Sequence, residues 1–333
     1  VGLTVAVDLR GGDLGPQPLI EGIKRFLAET EDVEVIAYGL QSDAPLATGV
    51  HRLFFRGCEE EITTHDKPTQ AVKGKKNSTL VCGIEAVKSK EAYGIVSPGN
   101  TGAVLTAAYL LLGRIKGVKR PLLMAPMPTL SGEPFVFGDL GANADVRADF
   151  FPGFAILGRV YYELLFGKEN PSVYLLNIGE EEEKGRQLVK EARELLDAYP
   201  WFKGYVEPHA VWEGGYDVVV TDGFSGNVFL KTAEGVSHAV TGVLKEEIMR
   251  GGIMSKIGAL MLKNAFKEMK KRFDYKTYGG APFLGVRGLV MKMHGRSDAD
   301  AAYSAVKALY RLAKGDIVGR IEERIESGGV RSG

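Results

Sequence analysis

Cysteine is scarce: Cys58 and Cys82 are the only two in 333 residues, and neither belongs to a CxxC pair. That pattern argues against zinc-ribbon and thioredoxin-type chemistry. Two free thiols in a reducing compartment is the favoured reading, and a disulfide between them stays open. Excess charge is also missing, since Lys+Arg and Asp+Glu both number 42. No global field draws the protein to nucleic acid, and no nucleic-acid partner is expected. The chain lacks any apolar run of the ~18 residues a spanning helix needs. It also lacks a basic stretch leading into an apolar one at its start, so no signal peptide is visible and a cytoplasmic location is expected. It begins on Val1 without an initiator Met, so the natural start is read as trimmed. The five histidines show no ligand spacing, and no metal or other cofactor is expected.

What is present is ordinary soluble composition, 45% hydrophobic and 25% charged, with length enough for a sizeable core. Short β-branched runs alternate with helical patterns. "GLTVAVDL", "DVEVIAYGL", "HRLFFRG", "AYGIVS", "EPFVFGD", "PSVYLLN" and "YDVVVTD" read as strands. They do not alternate polar with apolar, as in strands buried on both faces of a parallel sheet. The expected architecture is α/β, three layers (α/β/α) around a mostly parallel sheet, in a single domain over 1–333. A composition shift at about 235–280 predicts two long helices meeting at Gly251-Gly252, a hairpin projecting from the body. The last segment, from Ser297 as N-cap, reads as C-terminal helix.

Ligands of open parallel sheets bind beyond the carboxyl ends of the strands. Five strand-end stretches here are alike: "DLRGGD" (8–13), "SPGNTGA" (97–103), "DLGANAD" (139–145), "NIGEEEEKG" (177–185) and "DGFSGN" (222–227). Glycine lets backbone N–H groups approach an anion, and Asn, Ser and Thr complete a cradle. One such loop is an ordinary turn; five together favour a phosphate-containing ligand. The candidates are Gly12, Asp13, Ser97, Gly99, Asn100, Thr101, Gly102, Asn143, Asn177 and Ser225. "GGDLGP" does not fit the dinucleotide fingerprint, and no Walker A motif occurs. "GFSGN" matches a nucleophile elbow only loosely, so Ser225 reads as part of a phosphate turn rather than as a nucleophile. In "TQAVKGKKNSTL", Lys75 or Lys76 neutralises a phosphate or belongs to a solvated loop before a helix capped by Asn77 or Ser78.

"DLRGGDLGP", "VSPGNTGAVL", "DLGANAD", "LLNIGEEEEKG", "VVVTDGFSGNVFLKTAEG" and "YGGAPFLGVRGLVMKMHG" occur in order from residue 3 to about residue 325. Together they resemble the acyl-[acyl-carrier-protein]:phosphate acyltransferases of bacterial phospholipid synthesis, the PlsX family. Arg10, Pro98 and Arg287 stand where that family usually carries Met, a small residue and Asn. The resemblance implies a fold related to phosphate acetyltransferases and to isocitrate/isopropylmalate dehydrogenases, and a homodimer. It implies attack of inorganic phosphate on the thioester of acyl-ACP, giving acyl-phosphate for a membrane acyltransferase that acylates glycerol 3-phosphate. Peripheral membrane association follows from that role.

Such a reaction needs a neutralised phosphate dianion near the carbonyl and a donor for the oxyanion. Backbone N–H groups at 99–102 suit the phosphate. Lys184 is the candidate charge partner, Asn227 the oxyanion or phosphate donor, Asp222 their orienter and His294 the acid for the leaving thiolate. Glu180–Glu183 are expected in the first turn of a helix, where acids suit the dipole, rather than in a metal cluster. At the hairpin tip, Ile253, Met254, Ile257, Leu260 and Met261 share one helical face. Six basic residues (Lys256, Lys263, Lys267, Lys270, Lys271, Arg272) follow against one acid, Glu268. The pattern fits a helix on an anionic membrane, a dimer interface, or a face that greets acidic carrier protein, with membrane contact slightly favoured. The competing readings are an acyl-CoA-dependent phosphotransacetylase, a NAD-dependent decarboxylating dehydrogenase of the related fold, and a non-catalytic scaffold.

Overall fold

In the computed structural model, which describes residues 2–273 and 279–329, the first strand shows how the layers arise. β1 (Leu3–Asp8) is buried over its last four residues. Val5 and Val7 enter one apolar core and Ala6 the other, the period-two alternation of a strand covered on both sides. Val218, Val219 and Val220 divide between the same two cores.

From β1 the chain continues through α1 (Gln17–Glu29), β2 (Val33–Leu40), α2 (Ala44–Ala47), β3 (Leu53–Cys58), α3 (Pro68–Gly74) and α4 (Thr79–Lys88). Then come β4 (Gly94–Ser97), α5 (Thr101–Ala107), β5 (Leu122–Met127), β6 (Phe135–Gly138), α6 (Phe151–Phe166) and β7 (Val173–Leu176). α7 (Gln187–Leu196), β8 (Phe202–Val206), β9 (Val218–Val220), α8 (Gly223–Arg250), α9 (Gly252–Met261) and α10 (Lys263–Phe273) follow. β10 (Ala281–Leu284), β11 (Leu289–Lys292), α11 (Ala299–Lys314) and α12 (Ile317–Arg324) complete the order. α1, α6, α7, α11 and α12 cover one face of the sheet; α3, α4, α5 and the start of α8 cover the other. The three-layer α/β/α arrangement is the expected one.

Among the described residues, eleven strands form one sheet in the order β3-β2-β1-β4-β11-β10-β5-β6-β9-β7-β8. Pairings from β3 to β11 are parallel, as are those from β6 to β8. The three central pairings, β11 with β10, β10 with β5 and β5 with β6, are antiparallel. The two parallel blocks therefore run in opposite directions, and their carboxyl ends lie at opposite edges of the sheet. The sequence reading placed all five glycine-bearing loops at one edge; strand direction divides them between two.

Other expectations shift locally. α8 is 28 residues long and starts at the carboxyl end of β9, well before the composition change. At about 1.5 Å per residue it spans roughly 42 Å, so its second half leaves the body. The excursion then continues as two short helices rather than one long one, and residues 274–278 of it lie outside the described residues. The last segment breaks into two helices at Asp316, which sits in the left-handed region and caps α12 through Gly319 N–H. The cap of α11 is Asp298, whose carboxylate accepts from Ala301 N–H at 2.9 Å; Ser297 instead donates its hydroxyl to the His294 carbonyl. Ser78 occupies the N-cap of α4, but its hydroxyl donates to the Lys75 carbonyl and caps nothing. Among the described residues no helix is long and apolar enough to cross a membrane.

Candidate active site

At the first carboxyl edge, β1, β4 and β11 end side by side on Asp8, Ser97 and Lys292. Ser97 Oγ donates to Asp8 Oδ2 at 2.6 Å, and Arg10 N–H to Asp8 Oδ1 at 3.0 Å. Burial raises the Asp8 carboxyl to about 6 despite these bonds. Lys292 Nζ donates to the carbonyls of Pro98 and Met293. Burial lowers the Lys292 ammonium to about 8, with Asp8 and Asp13 acting against the fall. The loops over these ends interlock. Gly11 has φ +81°, and a Cβ there would lie 2.9 Å from Gly99 Cα. Asp13 N–H reaches the Gly295 carbonyl at 2.8 Å.

Gly12, Asp13, Ser97, Gly99, Asn100, Thr101, Gly102 and His294 all lie in the loops at this edge. Their donors are partly committed, however. Asn100 Oδ1 caps α5 by accepting from Ala103 N–H at 3.1 Å. His294 is exposed, and its Nδ1 accepts from Arg296 N–H at 3.1 Å. Arg10 turns away and pairs with buried Asp43 through Nε and Nη2 at 2.8 and 2.5 Å. Lys76 is exposed in the loop before α4, while Lys75 pairs with Asp66 at 2.7 Å. Asp8 and Lys292 were not singled out from sequence. Their signal was a charge closing an apolar strand, "TVAVD" and "LVMK".

The second edge gathers the ends of β6, β7 and β9: Asp139, Asn177 and Asp222. Asp139 is fully buried and accepts from the backbone N–H groups of Leu123, Ala142 and Asn143 and from Asn143 Nδ2. Burial holds its carboxyl above the usual range against those bonds. Asn143 also donates to the Pro121 carbonyl at 2.8 Å, and its own carbonyl accepts Gly223 N–H at 2.9 Å. Its amide therefore holds a loop together. A Cβ on Gly226 would fall 1.9 Å from the Asp139 carbonyl oxygen, so only glycine allows α8 to start this close to β6.

Asp222 caps α8 by accepting from Ser225 N–H at 2.9 Å and is ion-paired with Arg186. Arg186 Nη2 also lies 3.4 Å from Ser225 Oγ. Asn177 Nδ2 donates to the carbonyls of Gly179 and Lys184 at 3.0 and 3.1 Å, closing the loop between them. Glu180–Glu183 sit in that loop and its turn, not in a helix; α7 starts only at Gln187. The reason is the Asn177 closure together with Gly185 at φ +91°, a conformation helices do not use. Glu181 pairs with Lys184 at 3.1 Å and Glu182 with Arg193 at 2.7 Å. Lys184 is half-exposed, and Asn227 stands exposed on the first turn of α8 beside Gly141. Arg186, two places beyond Lys184, was missed from sequence, and it is the cation that reaches Asp222 and Ser225.

Asn177, Arg186, Asp222 and Ser225 line a cavity of about 860 Å³ whose walls are otherwise largely apolar, with His209, Thr221, Thr232 and Ser237 the further polar residues. Val189, Phe224, Val228, Phe229 and Trp212 supply much of that wall. Among the described residues no group of three or more His, Cys, Asp or Glu side chains is placed to hold a metal.

A sheet whose two parallel blocks are joined through reversed central strands, with helices on both faces, is the fold of the phosphotransacylases. A phosphotransacetylase from Streptococcus pyogenes superposes with TM-score 0.62 at 16% identity over 94% of each chain. A branched-chain phosphotransacylase from Enterococcus faecalis V583 does so with TM-score 0.56 at 12% identity, covering 93% of this chain and 99% of that one. The sequence narrows the class further: residues 3–320 match the family model described as fatty acid synthesis protein, and the chain belongs to that family, the PlsX family. The phosphate acyltransferase of Staphylococcus epidermidis (strain ATCC 12228) is 43% identical over 305 residues, 91% of this chain and 93% of that protein. The phosphate acyltransferase of Streptococcus thermophilus is 42% identical over 325 residues, 97% of each.

Proposed function

We propose that the protein transfers a fatty acyl group from acyl-ACP to inorganic phosphate, releasing acyl-phosphate and free ACP for phospholipid synthesis. The family supports an acyltransferase acting on phosphate. The observation that carries the reading for this chain is the Arg186–Asp222–Ser225 cluster at the mouth of the apolar cavity. An acyl chain suits the apolar walls, and its thioester then lies at that cluster.

A phosphate oxygen attacks the thioester carbonyl carbon and forms the new C–O bond. The tetrahedral oxyanion collapses, the C–S bond breaks, and the thiolate leaves with the electron pair and takes a proton from water. Arg186 and Lys184 supply positive charge for the phosphate, the first held by Asp222 and the second by Glu181. The Asn227 amide donates to the oxyanion or phosphate. The step proposed here does not use His294, which follows β11 at the other carboxyl edge.

The partners follow as part of the same proposal. On α8 the exposed Val236, Val240 and Val243 recur along one side, which favours a second copy of the chain closing over that face and the cavities Val236 and Val240 line. At the hairpin tip, Ile253, Met254 and Met261 are 77, 78 and 82% exposed, with Ile257 and Leu260 beside them. This apolar tip supports peripheral contact with a membrane, where the acyl-phosphate is consumed by a glycerol-phosphate acyltransferase. Incubation of the purified protein with palmitoyl-ACP and phosphate should give palmitoyl-phosphate by mass spectrometry. Turnover on palmitoyl-CoA alone, with none on the carrier-protein thioester, would replace ACP by CoA as the donor.

A further inference from the structure

We propose that Trp212 sets the acyl-chain length the enzyme accepts, by standing between two open, largely apolar chambers along α8. The proposal rests on the acyl-transfer reading above. The near chamber is the cavity of about 860 Å³ that begins at Arg186 and Ser225. A far chamber of about 950 Å³, open to solvent, lies beyond it; Leu230, Val240, Leu244 and Ile248 of α8 and Phe266 and Met269 of α10 line it, with Glu234, His238, Thr241 and Lys245 among them. Trp212, Ala233 and Ser237 line both chambers.

The passage is rigid on one side and lined by small residues on the other. Trp212 stacks on Phe229 with ring centroids 5.3 Å apart and 14° between planes. Its edge meets Phe135 at 6.5 Å and 81°. Phe229 is held in turn against Phe137 at 4.8 Å. Both phenylalanines behind this stack, Phe135 and Phe137, are fully buried, so the indole has no room to retreat. Across from it, Ala233 and Ser237 are one helical turn apart and present minimal side chains. An extended chain that follows α8 from one chamber to the other passes the indole and these two residues, which line both.

The distance from Ser225 fixes which chains need to cross. From Ser225 it is about 12 Å along the helix to Ala233 and about 18 Å to Ser237, at 1.5 Å per residue. An extended hydrocarbon advances about 1.3 Å per carbon for a C–C bond near 1.5 Å, so roughly nine to fourteen carbons fill the near chamber. Longer chains thread past Trp212 into the far chamber, whose outer wall is the projecting hairpin. Chain-length preference is thereby tied to an element remote from the thioester.

The test compares decanoyl, myristoyl and stearoyl thioesters with inorganic phosphate, reading acyl-phosphate by mass, and uses the full-length protein. Trp212→Ala widens the passage and should raise the stearoyl-to-decanoyl ratio of kcat/KM about tenfold, the scale on which apolar pockets discriminate chain size. Ala233→Phe narrows the passage from the helix side and should lower that ratio about tenfold. A ratio is independent of how much enzyme is folded, and Ala233 lies on a partly exposed helix face, so loss of folded protein in one variant leaves the other decisive. Opposite shifts support the proposal. An active wild-type enzyme with unchanged ratios in both variants overturns it and leaves the acyl-transfer reading standing. No acyl-phosphate from the wild-type enzyme overturns the acyl-transfer reading and this proposal with it.

Discussion

Arg186 and Asp222 form an ion pair in which the carboxylate is buried and also caps the first turn of α8. One residue thus fixes a helix start and aims a cation at the candidate phosphate site. Asp222→Asn keeps a capping oxygen but removes the charge that holds the guanidinium. Turnover should fall while the urea midpoint stays near wild type. Asp222→Ala removes the cap as well and should cost about 1 kcal/mol more. Equal turnover in Asp222→Asn and wild type would remove Arg186 from the chemistry.

Asn227 is exposed, so its loss leaves no cavity. Asn227→Ala should lower kcat about 10²–10³-fold, the cost of losing an oxyanion donor, with little change in unfolding temperature. Lys184→Ala should act mainly through KM for phosphate, because its partner Glu181 and its own ammonium are both half-exposed. Wild-type kinetics in both variants would sink these two assignments.

The Lys292 ammonium is held down at about 8 against an ordinary 10.5. Between those values the unfolded chain carries a proton that the folded chain does not, so stability rises with pH across that window. The cost of burying the charge is fully present below about 8. Wild-type stability should therefore gain on Lys292→Met as pH goes from 8 to 10.5, read by urea unfolding at stepped pH. Because Asp8 favours the ammonium, Asp8→Asn should move the Lys292 midpoint below about 8 in an NMR titration.

Two glycines of α8 should respond in opposite ways. Gly226→Ala forces a Cβ into the Asp139 carbonyl and should destabilise by at least about 1–3 kcal/mol. Gly235→Ala meets nothing within 4 Å and should stabilise by up to about 1 kcal/mol through helix propensity. Denaturant midpoints of the two variants give the comparison directly.

Flotation with anionic vesicles checks the hairpin tip. Ile257→Glu combined with Leu260→Glu should abolish co-flotation while acyl-phosphate formation from a soluble thioester persists. Binding equal to wild type would assign the tip to another contact.

Much of the fold was legible because buried parallel strands leave β-branched runs that composition alone reveals. β5 was not, since "LLMAPM" carries Pro126 and two methionines and lacks the β-branched signature. Strand direction was not legible either. Each glycine-bearing loop follows an apolar run in the same way, and nothing local to "SPGNTGA" or "DGFSGN" says that their strands run oppositely. The site residues were half visible. Asn143, Asn177 and Asn100 looked like ligand donors because turn-stabilising and ligand-binding amides share one composition; the structure ties one side-chain atom of each to a backbone group. Asp8 and Lys292 became conspicuous only when β1, β4 and β11 aligned their ends across the chain.

The strand order has a consequence for synthesis. β11 and β10, from residues 281–292, fill the gap between β4 and β5. Until that stretch has left the ribosome, the amino-terminal block ends on β4 and the other block on β5, each an open edge with unpaired backbone groups. The keystone of the sheet is thus translated after nearly everything it joins. A nascent chain of this protein is two unfinished half-sheets, and the interval before residue 292 emerges is when chaperone protection matters most.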